Sequence, residues 1–261
     1  MMSPRAQATV MPWLVVAALF ALWELLVIAA RLPPFVLPAP TAVFAALAEF
    51  SGPIAHHALH TLGATLAGFA LSVVGGVALG VAVGASSVAY RSLFPVLIGF
   101  NSIPKVAIVP VLIIWFGIGA VPAIITACLI SFFPITVNVA TGIATLEPEL
   151  RDVLRSLGAS RADILRKVGL PRAAPYFFAS LKVAITLAFV GSIISETVGS
   201  NEGVGYLMIQ ASSRFQIPLV FAALLVVAAM GVAMYFLFAV LERRMTFWAT
   251  RGVDAAYATG G

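Results

Sequence analysis

The sequence predicts an all-α integral membrane protein with six transmembrane helices and one cytoplasmic helix-turn-helix loop, and three observations carry that prediction. Of 261 residues 62% are hydrophobic and only 10% charged, with a mean hydropathy of +1.09. A soluble core of this length cannot absorb so much apolar surface. Six apolar runs are each long enough to cross the bilayer, which takes about 20 helical residues for a hydrocarbon layer ~30 Å thick. Between the fourth and fifth runs lies the only long stretch dense in charge, ELRDVLRSLGASRADILRKVGLP at 149–171. None of the runs shows the alternation of a membrane strand.

The first run, about 11–30, follows Arg5 and is trailed by Ala29 and Ala30, the outline of a signal peptide. Its length and the internal Glu24 instead favour a retained helix packed against others. The second, about 62–84, carries Gly75, Gly76, Gly80 and Gly84, which suit close helix packing. The third, about 93–117, is interrupted by Pro104, which removes a backbone donor and breaks the helix there. Gly117 and Gly119 turn the chain into the fourth, about 120–143. The lone cysteine, Cys128, sits inside that run as a packing residue and permits no disulfide framework. The fifth and sixth runs cover about 176–197 and 218–241. Gly199, Gly203 and Gly205 predict an irregular connection between them.

Basic residues orient the bundle, because loops rich in Lys and Arg stay in the cytoplasm. With the N-terminus inside, eleven of the fifteen bases are cytoplasmic: Arg5, Arg91, six between Arg151 and Arg172, and Arg243, Arg244 and Arg251. Only Arg31 and Arg214 fall outside. Lys105 and Lys182 lie within spans, the latter near enough to the cytoplasmic end to snorkel. Both termini are therefore expected inside, and the net charge of +5 reflects topology rather than nucleic-acid binding.

Within the charged loop, Leu150, Val153, Leu154 and Leu157 recur at i, i+3, i+4 and i+7 and mark a short amphipathic helix with a basic opposite face. Gly158 ends it, since glycine accepts the left-handed conformation of a helix terminus. Ser160 is the N-cap of a second helix, with Asp163 in its first turn. Ile164, Leu165 and Val168 extend an apolar face to Pro171, where that helix is expected to stop.

This arrangement resembles the EAA motif of ATP-binding-cassette importer permeases, a Glu-Ala-Ala, Gly, Ile-x-Leu-Pro series. Gly158 and Leu170-Pro171 match its Gly and Leu-Pro, and Val168 stands where the family has Ile. Asp152 occupies the Glu position, and Val153-Leu154 replace Ala-Ala, adding bulk to the face that docks the ATPase in the family. Three further passages, LPPFVLPAPTAV at 32–43, NSIPKVAIVPVLIIWFGIG at 101–119 and SETVGSNEGVGYLM at 195–208, resemble the nitrate, sulfonate and taurine branch. The resemblance spans about residues 22–245.

It implies the type I ABC importer permease fold, with 146–175 as the coupling loop. It further implies an inner-membrane assembly of two permease copies, two ABC ATPases and an extracytoplasmic substrate-binding protein. Asp152, Val153, Leu154, Leu157, Gly158, Val168, Leu170 and Pro171 become the coupling residues. The branch handles small anions such as nitrate, taurine and sulfonates, or vitamin precursors. No Gly-x-x-x-x-Gly-Lys phosphate loop precedes any of the three lysines, so ATP and Mg belong to the partner and the chain itself carries no cofactor.

Ionisable and polar groups inside spans usually face a cavity or the bundle interior. Glu196, and Asn101, Ser102 and Lys105 around Pro104, are therefore candidates for the translocation pathway, Lys105 suiting an anionic substrate. The alternative for Glu196 is hydrogen bonding to backbone near Gly199, and for Lys105 an ion pair with Glu24 or Glu196. His56, His57 and His60 allow an i, i+4 metal pair and hence a second reading as a membrane-embedded metal-dependent hydrolase. They lack a third partner of the HExxH kind, so no metal site is assigned. A secondary transporter, the third reading, leaves the Gly-to-Pro loop without a purpose.

Overall fold

The computed structural model describes residues 4–247, and every regular element among them is helical. Arg251, counted above among the cytoplasmic bases, lies outside the described residues. Helix α1 (Pro4–Ala29) holds the first apolar run and buries little of it. Its Glu24 carboxylate accepts from the backbone N–H of Thr41 at 3.1 Å and from the Thr41 hydroxyl at 2.9 Å. Glu24 thus supplies acceptors to the first turn of α2 (Pro40–Glu49), where backbone donors have no partner within the helix.

Helix α3 (Ser51–Gly84) extends the second run by eleven residues at its start, so the three histidines lie on the helix rather than ahead of it. Gly52-Pro53 does not delay its start, because the first turn needs no donor from proline. At 34 residues the helix is about 50 Å long and overshoots the hydrocarbon layer. The third run splits as expected. Helix α4 (Ser87–Ser102) and helix α5 (Val109–Phe116), joined by a 3₁₀ turn at Lys105–Ile108, are bent by 68°. Ile103 is extended (ψ 127°), the conformation that a following proline imposes.

Helix α6 (Ala120–Ala144) follows, then α7 (Pro148–Ser156) and α8 (Arg161–Ile164) of the charged loop. A π-helical turn at Leu165–Gly169 leads into α9 (Leu170–Gly199). The expected stop at Pro171 therefore does not occur. Proline falls in the first turn of α9, and the wider π turn ahead of it carries the chain on without an N–H at that position. The second loop helix and the fifth span become one continuous rod from 161 to 199, and the predicted span 176–197 is its far part. Helices α10 (Val204–Ser213) and α11 (Ile217–Met245) complete the chain. Among the described residues five helices are long and apolar enough to span, and the bent α4–α5 pair, taken as one span, makes the sixth of the prediction.

The core is a packed triplet of α3, α6 and α9, centred on Phe69, Ile135, Val139, Leu181, Ile185 and Phe189. The glycine series of α3 makes it possible. A Cβ at Gly80 would lie 2.8 Å from the Thr136 carbonyl oxygen and 2.8 Å from Val139 Cβ, and one at Gly84 2.7 Å from the Ala140 carbonyl oxygen. Helices approaching backbone to backbone gain dispersion contacts that lipid cannot supply. A second cluster joins α2, α10 and α11 through Val43, Val204, Leu207 and Leu219. Lys182 has a partner that the sequence did not show. Its Nζ meets Glu242 Oε2 of α11 at 2.5 Å, half-buried, because α11 brings a carboxylate within reach.

Candidate functional site

At the loop end of the bundle, the sequence expectations for α7 hold in detail. Gly158 has φ +84°, its N–H donates to the Arg155 carbonyl at 2.9 Å, and the Ala159 N–H donates to the Leu154 carbonyl at 3.0 Å. Together these two bonds form a Schellman terminus, which turns the chain sharply and satisfies carbonyls that the helix end leaves open. The next helix begins immediately with a capping box. Ser160 Oγ accepts from the Asp163 N–H at 3.1 Å, while Asp163 Oδ2 accepts from the Ser160 N–H at 3.3 Å and from its hydroxyl at 2.5 Å. Arg172 Nη2 reaches Glu147 Oε1 at 3.1 Å and ties the two ends of the loop together. The angle between α7 and the long rod is thus set by local bonds at both sides of one glycine.

The apolar stripe of α7 divides between two surroundings. Leu150 and Leu154 are half-buried, whereas Val153 and Leu157 are 55% and 78% exposed. Asp152 is exposed beside them, Val168 is half-buried, and Leu170 and Pro171 are exposed at the start of α9. A cavity of about 180 Å³ lies between this loop and the ends of α3 and α6, lined by Arg151, Arg155 and Arg161 among apolar groups.

At the far end, Glu196 is 3% exposed. Its Oε2 accepts from the Thr61 hydroxyl and from the Gly205 N–H, each at 2.9 Å, and Thr61 Oγ1 in turn accepts from the Val204 N–H at 2.8 Å. The carboxylate therefore holds α3, α9 and the start of α10 together. Gly203, at φ +98°, packs directly on it, and a Cβ there would overlap the carboxylate carbon and both oxygens. Backbone near Gly199 is not its partner, as the alternative reading had it; the bonds go to Gly205 and Thr61. Sequence reasoning missed Thr61, because a lone threonine on a helix carries no signal until a carboxylate arrives 135 residues later.

Lys105 pairs with neither Glu24 nor Glu196, both of which are engaged elsewhere. Its Nζ donates to the Asn101 carbonyl at 3.0 Å and to Asn101 Oδ1 at 2.9 Å, and the Ser102 hydroxyl donates to the Ile98 carbonyl at 3.2 Å. The helix break thus exposes carbonyls that these side chains cover, and it leaves a half-exposed ammonium with donor capacity to spare. Lys105 and Glu196 are not brought into contact.

The histidines separate by role. His57 Nδ1 accepts from the Gly203 N–H at 3.1 Å, while His60 Nδ1 lies 2.8 Å from Glu202 Oε2. Glu202 was not grouped with the histidines by sequence, since 142 residues part it from His60. A pocket of about 320 Å³ opens here, bordered by His60, Glu196, Asn201 and Glu202.

Residues 72–247 match the family described as binding-protein-dependent transport system inner membrane component. The chain is similar to a probable ABC transporter permease protein of Haemophilus influenzae, 33% identical over 86% of this chain and 92% of that one. It is 34% identical to the riboflavin transport system permease protein RibX of Chloroflexus aurantiacus, over 88% of this chain and 87% of the relative. Identity to the taurine transport system permease protein TauC of Escherichia coli is 26%, over 89% and 87% of the two chains. In fold it is similar to a chain of the inward-facing MetNI methionine ABC transporter. The TM-score is 0.61 at 20% identity, covering 72% of this chain and 94% of the other.

Proposed function

The chain belongs to the binding-protein-dependent transport system inner membrane components, and on that premise we propose that α7 is its contact with the ATPase and the α4–α5 break part of its substrate route. As a member of that family it is the permease subunit of an ABC importer, a multi-pass membrane protein that works with an ATPase and a binding protein and is not itself an enzyme. The hydrolase reading is dropped: family and fold are those of a transport subunit.

One observation carries the coupling proposal. A short helix, ended by a Schellman turn that leads directly into a capping box, holds out Val153 and Leu157 with nothing among the described residues covering them. Asp152, Val153, Leu154 and Leu157 form the docking face, Gly158 is the joint, and Val168, Leu170 and Pro171 pass motion into α9. ATP and Mg reside on the partner, and closure of two ATPases tilts the rod from 161 to 199, alternating access. Two copies of this chain form the pathway. The apolar side chains left exposed on α4 and α5, Phe100, Ile114 and Trp115 among them, suit a second copy or lipid. The loop end faces the cytoplasm, as the basic residues argue. Leu157→Asp is expected to weaken copurification of the ATPase at least tenfold while helix content is unchanged, because a carboxylate would be buried without a partner at the contact. Full retention of the ATPase would remove α7 from the interface.

Lys105 is proposed to meet the substrate, a small anion or vitamin precursor of the kind the relatives carry, whereas Glu196 holds the far-end turn. Lys105→Ala should then reduce uptake of an anionic substrate about tenfold, the order of one charge-assisted hydrogen bond, and leave a neutral one unaffected. Equal loss for both in proteoliposomes would make Lys105 structural.

A further inference from the structure

Three side chains at the far end of the bundle converge outside the groups assigned above to coupling and to the substrate route. His56 and His60, one turn apart on the first part of α3, have ring centroids 4.9 Å apart. Glu202 reaches them from the turn between α9 and α10, with Oε2 2.8 Å from His60 Nδ1. One donor atom from each of the three lies within 4.8 Å of the others. The His56 ring also packs edge-on against the His57 ring, with centroids 5.4 Å apart.

We propose that His56, His60 and Glu202 bind a divalent transition-metal ion of the zinc class, which staples the turn at 200–203 to α3. A tetrahedral ion bound at about 2.0–2.2 Å to imidazole nitrogen and carboxylate oxygen needs its ligand atoms roughly 3.4 Å apart. The donors already sit close to that spacing, one pair at 2.8 Å and all within 4.8 Å of one another, on exposed side chains that rotate without disturbing the core. Two imidazoles and one carboxylate select zinc, cobalt or nickel over magnesium and calcium, which prefer oxygen. Three protein ligands leave a fourth position to water or to a group on an incoming protein.

The mechanical consequence follows from connectivity. Glu202 precedes Gly203, whose N–H donates to His57 Nδ1 and whose α-carbon packs on the Glu196 carboxylate. An ion bridging α3 to Glu202 restrains the same turn that Glu196 and Thr61 hold from below. His57, between the two ligands in sequence, is already committed to that turn and lies outside the ligand set.

The test is made on the purified full-length chain after removal of any polyhistidine tag, titrated with cobalt and then zinc against a chromophoric chelator. One equivalent per chain is expected, with the visible absorption of tetrahedral cobalt. His56→Ala and His60→Ala should each weaken binding at least tenfold, and Glu202→Gln should weaken it and alter the cobalt spectrum. Cys128→Ser should change neither. Amide exchange at 200–203 is expected to slow when zinc is added. Absence of saturable binding overturns the site, as does binding that survives both histidine substitutions in variants with unchanged helix content. Binding with unaltered exchange at 200–203 overturns the staple. None of these readouts depends on transport.

Discussion

Gly158→Val is expected to cut substrate uptake and substrate-stimulated ATP hydrolysis in proteoliposomes by roughly 5–30-fold. Gly158 sits at φ +84° with no atom of the described residues beyond its chain neighbours within 4 Å of where a Cβ would stand, so the effect is chiefly one of backbone. An L-residue held in the left-handed region costs about 1–2 kcal/mol, and a β-branched one sits at the unfavourable end. That cost corresponds to a factor of roughly 5–30 in the population of the correct geometry. The chain would relieve it by opening the Schellman turn, which releases the Gly158 and Ala159 N–H bonds and swings α7 away from its angle to the rod. Gly158→Asn provides the control, because asparagine tolerates that conformation and should retain most activity. If the valine variant transports like the original chain, the angle at Gly158 is irrelevant to coupling.

The second large effect is on stability. Gly80→Leu should lower the thermal midpoint of the detergent-solubilised protein by roughly 5–10 °C, since forcing atoms into a packed core costs about 1–3 kcal/mol. The new Cβ would be driven against the Thr136 carbonyl oxygen and Val139 Cβ, separating α3 from α6 along the seam that Gly76 and Gly84 share. Gly63→Ala lies on the same helix with open space around it and should be neutral or slightly stabilising, because alanine favours the helix. Equal behaviour of the two variants would show that the α3–α6 seam is not the packing centre.

The loop was the most legible part of the sequence. Its helix period, Gly158, the Ser160 cap and the matching Asp163 are all local signals, each acting within four residues, and each appears in the structure as read. Pro171 was misread for an instructive reason. A proline rule assumes a regular α-helix before it, and the π turn at Leu165–Gly169 moves Pro171 into a first turn, where its missing N–H costs nothing. The break at Pro104 was legible because Ile103 is constrained by its immediate neighbour. The start of α3 was not, since the apolar count begins only where the bilayer does, while the helix runs on through His56, His57 and His60.

By itself the sequence determined the membrane class, the apolar spans and the parts of the charged loop, because hydropathy, helix caps and turn glycines act over distances of a few residues, and its motifs carried the family resemblance. Only the tertiary structure decided what the isolated polar groups do. Glu196 was placed on Thr61 and Gly205 rather than Lys105, Lys182 on Glu242, and Glu202 beside His56 and His60. Each of those pairings joins residues from different elements of the fold. A buried charge takes the partner that helix packing brings within about 3 Å, and no local pattern encodes which partner that is.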